Sequence, residues 1–253
     1  MNFHTFFDVL VIGWLALAIV TFASLFFVAV PYGRHTRAGW GPTIDNRLGW
    51  TIMEAPAALV FAASFASGER SSTVSALVFF ALWEMHYVHR AFIYPLRLRG
   101  GERRMPLAVA GMAFLFNLVN ASLNGYYLFD LCEGYPSERL GDPRFIIGLG
   151  LFVAGVVINR QADHTLRSLR RPGESGYKIP HGGLYRWVSC PNYLGEIIEW
   201  TGWAVMTWSL VGLSFAVWTA ANLAPRAWAH HAWYRNSFAE YPPERRALLP
   251  GVW

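Results

Sequence analysis

Seven stretches of this 253-residue chain are long and apolar enough to cross a hydrocarbon layer, near residues 7–30, 49–67, 72–96, 106–129, 144–162, 192–209 and 210–228. A span takes about 20 residues at 1.5 Å rise each. Only 15% of the residues are charged, where soluble domains carry about 25%. The expected fold class is an all-α membrane protein: seven transmembrane helices in a single domain over residues 1–253. The first stretch has no basic segment before it and runs too long for the apolar region of a signal peptide.

Orientation follows from the basic residues. All Lys and Arg except Arg70, Arg90, Arg139 and Arg144 fall in segments 31–48, 97–105, 163–191 and 229–253 or at the span ends beside them. Cytoplasmic connections carry the excess of Lys and Arg, so the amino terminus is expected outside and the carboxyl terminus in the cytoplasm. Seven is the odd number of spans this requires. Net charge is +5, but it sits in these blocks, and no nucleic-acid partner is expected from it. Cys132 and Cys190 are too few for a disulfide framework or a cysteine-built zinc site.

Ionisable groups at membrane depth are costly and normally face a bundle interior or a water-filled cavity. Span two holds Glu54, span three holds Glu84, His86, Tyr87, His89 and Arg90, and span six holds Glu196 and Glu199. Each has a structural reading, such as Glu84 paired with Arg90 or a histidine to lock helices together. Four such places on three spans argue for a polar chamber. A buried carboxyl such as Glu54 can stay protonated and donate a hydrogen bond, as a phenol such as Tyr87 does. Two donors meeting at a ketone oxygen would stabilise the enolate formed when its conjugated alkene accepts a hydride.

The cytoplasmic half has another character. Asn159, Asp163, Arg167, Arg170 and Arg171 lead into the turn-rich segment 172–180, followed by Asn192 to Glu196 and then Arg226, His230, His231, Tyr234 and Arg235. Arginine forks suit phosphate oxygens, amides and carboxylates suit ribose hydroxyls, and aromatic rings suit a base. An anionic nucleotide fits this set, and so do anionic lipid headgroups. No GxGxxG or GxxxxGK[ST] motif is present, which excludes the soluble nucleotide folds that carry them. The pairs His230–His231 and His86/His89 lack further ligands at metal spacing, so no metal is expected.

Several of these segments together resemble the steroid 5α-reductase family, nearest in pattern to its animal type 2 enzymes. They are Asn159 to Asp163, Leu169 to Glu174, Tyr177-Lys178-Ile179-Pro180-His181-Gly182-Gly183-Leu184-Tyr185, Asn192-Tyr193-Leu194-Gly195-Glu196-Ile197-Ile198-Glu199-Trp200, Pro31 to Thr36, His86 to Tyr94 and Tyr241 to Pro250. The resemblance implies a multi-pass enzyme that reduces the 4,5 double bond of 3-oxo-Δ4 steroids with NADPH, delivering hydride to C5. It would act as a monomer in the bilayer of a bacterial inner membrane or the endoplasmic reticulum, with the nucleotide site toward the cytoplasm. By the same resemblance Glu54 and Tyr87 hold the 3-keto oxygen and Trp50 lines the steroid cavity. Tyr32, Tyr94, Asn159, Asp163, Arg170, Tyr177, Lys178, Asn192, Glu196, Arg226, His230 and Tyr234 fall where the family contacts NADPH.

Two positions depart from the family pattern. Met53 stands where the type 2 enzymes place a glutamine, beside Glu54, and the segment 98–104 aligns poorly with the family's nucleotide-contacting loop, leaving Arg103 and Arg104 as equal candidates. Other readings of the same residues are a membrane methyltransferase using S-adenosylmethionine, a reductase of a non-steroid enone or polyprenol, and a sterol-binding or transport protein. The donor pair Glu54 and Tyr87 separates the first of these from a reductase, because methyl transfer needs no acid aimed at a ketone.

Overall fold

The computed structural model describes residues 3–31, 33–98, 104–171, 174 and 176–253. It contains seven α-helices among those residues: α1 (Phe3–Phe27), α2 (Asn46–Ser67), α3 (Val74–Val88), α4 (Leu107–Tyr126), α5 (Pro143–Ser168), α6 (Pro191–Thr207) and α7 (Leu210–Ser237). Each coincides with one of the seven apolar stretches. Four segments of the described chain are long and apolar enough to cross a membrane: His4–Phe27, Asn46–Ser67, Leu107–Leu131 and Pro143–Ser168. Large apolar side chains such as Ile19, Phe27, Leu59 and Val157 are exposed on these helices, as lipid-facing residues are.

Two helices run further than hydropathy implies. Helix α5 continues to Ser168 and α7 to Ser237, so Asp163 and Arg167 are helical rather than the start of a loop. Polar residues end a hydropathy signal without ending a helix, since the i→i−4 ladder does not depend on side-chain polarity.

The chain packs as two units, Met1–Ala29 with Pro143–Trp253, and Val30–Asp142. In the second of these, two short strands, β1 (Thr43–Asp45) and β2 (Arg104–Pro106), pair antiparallel with Ile44 opposite Met105. Each strand runs directly into a helix, β1 into α2 and β2 into α4. The pairing therefore sets the starts of those two helices side by side. Asp45 caps α2, its carboxylate accepting from the N–H groups of Arg47 and Leu48 at 2.9 and 3.1 Å, which is the usual means of satisfying a helix's first donors. Thr73 caps α3 in the same way through Ala76 N–H.

Helices α2 and α3 then pack through aromatic rings. Trp83 lies stacked on Phe61 at 4.3 Å and its indole N–H donates to the Ala57 carbonyl at 2.9 Å. Beyond Val88 the chain widens into a π-helical turn, His89–Ile93, closed by the Tyr94 N–H to His89 carbonyl bond at 2.7 Å.

In the other unit α5 and α6 cross along a seam of glycines. A Cβ on Gly148 would meet the backbone of Met206 and Gly202, and one on Gly155 the backbone of Glu199 and Gly195. Gly195 and Gly202 answer from α6 against Asn159, Gly155, Phe152 and Gly148. Close approach of this kind is how small residues bind helices together within a membrane. Helices α6 and α7 form a hairpin turned by Trp208, whose φ of 45° is left-handed, and by Ser209 capping Gly212 N–H. Helix α1 lies against α7, where Trp218 donates its indole N–H to the Trp14 carbonyl at 2.9 Å.

Candidate active site

In the unit Val30–Asp142, the side chains singled out from the sequence gather on α2 and on the α3–π segment. Glu54 has its carboxyl between two donors: the Arg90 Nε lies 3.7 Å from Oε1, and the Asn117 amide donates to Oε2 at 3.1 Å. Arg90 is thus the partner of Glu54, not of Glu84; Glu84 Oε1 is buried without a hydrogen-bond partner among the described residues. The same guanidinium lies over the Trp50 ring at 4.7 Å and the Tyr94 ring at 5.3 Å, and those two rings meet edge to face at 5.1 Å. Tyr94, expected from the resemblance among the nucleotide contacts, stands beside Trp50 and Arg90.

Tyr87 is buried, tilted against Trp83 at 4.9 Å and edge-on to His86. Its level follows from the contacts on either side of it. Trp83, one turn before Tyr87, touches Ala57 and Phe61, while Arg90, one turn after, touches Glu54 and Trp50. Helices α2 and α3 run in opposite directions, so Tyr87 sits at the height of the Glu54 turn. The π turn that follows offsets the i, i+4 register and lets Arg90 and Tyr94 both reach Trp50.

Asn117 was not read from the sequence. It is 4% exposed in the middle of α4, and its single Nδ2 makes two bonds, to the Met53 carbonyl at 2.7 Å and to Glu54 Oε2. Asn120 and Asn124 continue a buried polar line along the same helix; Asn124 donates to the carbonyl and side-chain oxygens of Asn120, whose own Nδ2 has no hydrogen-bond partner among the described residues. Three asparagines at i, i+3 and i+7 inside an apolar span were the available signal.

In the other unit the glycine seam brings four predicted residues together. One turn beyond Gly155, Asn159 donates to the Asn192 carbonyl at 3.0 Å and to Glu196 Oε2 at 3.4 Å, and Asn192 donates to Asp163 Oδ1 at 3.4 Å. Asn159 and Asp163 are buried. His230 on α7 lies 2.9 Å from the Tyr193 hydroxyl. Arg170 donates from Nε to the Gly176 carbonyl at 2.8 Å and holds its guanidinium 5.0 Å over the Tyr177 ring. Tyr177 meets Trp233 edge to face, and Trp233 meets Tyr234. Lys178 is engaged by Glu174; the Arg171 backbone N–H and then Lys178 hold that carboxyl below its ordinary range. Arg226 follows Pro225 inside α7, where the missing N–H loosens the helix.

A second network escaped the sequence reading. Ser189 Oγ lies 2.6 Å from His231 Nδ1, 2.7 Å from the Tyr241 hydroxyl and 3.1 Å from the Arg246 carbonyl. Burial, and then Arg235 and Arg246, hold His231 below its ordinary pKa. The network docks the carboxyl-terminal segment, with Tyr241 stacked on Tyr234 at 5.1 Å. Tyr32 and Arg103 lie outside the described residues. Arg104 is in β2, its guanidinium on the Thr43 carbonyl and hydroxyl.

The family described as 3-oxo-5-alpha-steroid 4-dehydrogenase matches residues 103–253. The chain is 44% identical over 241 residues to the steroid 5-alpha-reductase DET2 of Gossypium hirsutum, covering 94% of this chain and 93% of that protein. It belongs to the steroid 5-alpha-reductase family. The 3-oxo-5-alpha-steroid 4-dehydrogenase 1 of Bos taurus is 39% identical over 93% of this chain and 92% of its own length. The corresponding protein of Homo sapiens is 41% identical over 87% and 85%. Members of this steroid 5-alpha-reductase family are oxidoreductases, and a nicotinamide cofactor is general among them. The buried Asn159 and Asp163 of α5 and the half-buried Asn192 and Glu196 of α6, with an arginine over a tyrosine ring nearby, are a donor and acceptor set that fits the hydroxyls and phosphates of such a cofactor.

Proposed function

We propose that this enzyme reduces the 4,5 double bond of 3-oxo-Δ4 steroids with NADPH, adding hydride at C5 and a proton at C4. The reading rests above all on the Glu54 cluster: a carboxyl at membrane depth, an arginine beside it and a buried phenol at the same level, on adjacent helices of a chain in this family.

The steroid 3-keto oxygen is held by the hydroxyl of Tyr87 and the acid proton of Glu54. Since Glu54 Oε2 accepts from Asn117, the proton that Glu54 donates is carried by Oε1. As the conjugated system is reduced, negative charge moves onto the ketone oxygen, and both hydrogen bonds strengthen as it does so. The Arg90 guanidinium adds a fixed positive charge next to Oε1. Trp50, braced by Arg90 and Tyr94, forms a wall of the steroid cavity.

Bound nicotinamide dinucleotide supplies the hydride. Asn159, Asp163, Asn192 and Glu196 hold its ribose hydroxyls, and Arg170 and Lys178 its phosphates. Tyr177, His230 and Tyr234 provide rings and hydroxyls around the remainder, with Arg226, Tyr94 and Tyr32 as further contacts. Arg170 is assigned the phosphate that distinguishes NADPH from NADH. All seven helices cross the bilayer, the amino terminus lies outside, and the nucleotide residues open to the cytoplasm. The enzyme works as a monomer.

Purified protein incubated with testosterone and NADPH tests this directly, following NADPH absorbance and identifying the product. A 5α-reduced steroid formed in step with NADPH loss is the expected result. No NADPH oxidation with any 3-oxo-Δ4 steroid would remove the proposal.

A further inference from the structure

Asn117 occupies an unusual place for an amide in an apolar helix. Its side chain is buried in α4, and both N–H bonds of one nitrogen are used on consecutive residues of another helix, the Met53 carbonyl at 2.7 Å and Glu54 Oε2 at 3.1 Å. An amide NH₂ has two donors and no more, so its donating capacity is fully committed. The bond to the Met53 carbonyl fixes the amide to the backbone of α2. The bond to Oε2 then fixes the Glu54 carboxyl to that same frame.

The depth of this contact is set by the strand pair. Helices α2 and α4 both start from it, and Glu54 and Asn117 lie roughly 12 and 15 Å along their axes at 1.5 Å per residue. On the other oxygen, the Arg90 Nε lies 3.7 Å from Oε1, farther than a hydrogen bond. Met53 next to it carries no polar group of its own. Asn117 is therefore a neutral donor that ties Oε2 of Glu54 to the α2 backbone.

We propose that Asn117 is a positioning residue for the reaction, acting through Glu54 by clamping its carboxyl to the α2 backbone. This rests on the reading of Glu54 as the acid that holds the substrate ketone.

Asn117→Leu removes both donors at similar volume, and Asn117→Asp keeps the shape but replaces two donors by at most one, so that the Met53 carbonyl and Glu54 Oε2 can no longer both be held. Turnover of the 3-oxo-Δ4 steroid should fall roughly tenfold to a hundredfold in each, the scale on which misplacing a reacting group by a fraction of an ångström acts. The KM for NADPH should stay within about twofold, because no nucleotide residue is touched. The decisive arm is a double-mutant cycle. In Glu54→Gln the acid is already lost, and adding Asn117→Leu should cost little more. Full turnover in Asn117→Asp, or equal losses from Asn117→Leu with and without the acid at position 54, would overturn the proposal. If Asn117→Leu does not accumulate as folded protein, Asn117→Asp alone decides by the same turnover and KM readouts. Undiminished turnover in Glu54→Gln by itself refutes the reading of Glu54, a result distinct from either failure of Asn117.

Discussion

At the residue scale the site is a small number of polar atoms held where lipid would otherwise be. Glu54 and Tyr87 stood out in the sequence because a carboxyl and a phenol are conspicuous within apolar spans, and the structure sets them at one level of a helix pair. Tyr87→Phe deletes the hydroxyl proposed to hold the ketone while leaving the ring packed on Trp83. Turnover should drop by roughly 10²–10³ with KM for NADPH little changed, measured by steady-state kinetics; an unimpaired variant would mean the hydroxyl is not at the ketone. Arg170 is tied by Nε to Gly176, and its fork lies over Tyr177. Arg170→Ala should raise KM for NADPH more than for NADH, since only NADPH carries the extra phosphate that a guanidinium grips. Equal effects on the two would assign Arg170 to a part they share. The roles of Asn117 and Ser189 were not legible by contrast. Their partners lie 63 and 42 positions away, and nothing local distinguishes an amide or hydroxyl that crosses to another helix from one that bonds its own turn.

At the element scale, hydropathy located every helix, but not where α5 and α7 end, because their last turns are polar. Those turns carry Asp163, His230 and Tyr234, three of the residues proposed to hold the nucleotide. Nor does hydropathy report how closely two helices approach. The seam of Gly148, Gly155, Gly195 and Gly202 lets α5 and α6 touch backbone to backbone, and that approach brings Asn159 within reach of Asn192 and Glu196. Gly155→Leu should therefore lower thermal stability by about 1–3 kcal/mol or more through overpacking, and raise KM for the nucleotide along with it. Gly13→Leu is the matched comparison: nothing lies within 4 Å of a Cβ placed there, and stability should be unchanged within about 0.5 kcal/mol. A melting curve for each variant in the same detergent checks both.

At the scale of the whole molecule, the distribution of arginines carries the topology, because charge on short connections is what orients a membrane chain. Glu138 and Arg171 are exposed at positions assigned to opposite faces. In a background with Cys132 and Cys190 replaced, a cysteine at 138 should react with an impermeant maleimide from the outside of intact cells. A cysteine at 171 should react only after the membrane is opened. The reverse pattern would invert the orientation and move the nucleotide residues to the outer side.

Helix α1 is the least buried of the four long apolar segments. Phe7, Val11 and Ala18 are its buried apolar side chains, and Trp14 joins it to Trp218 by one hydrogen bond and a ring contact at 4.7 Å. Most of its surface is presented outward, so surrounding acyl chains supply the greater part of what keeps it upright. Extraction into short-chain surfactant strips that support from α1 first, while the interlocked α5–α6 pair keeps its own. Reconstitution into nanodiscs or native lipid is the preparation in which all seven helices stay together.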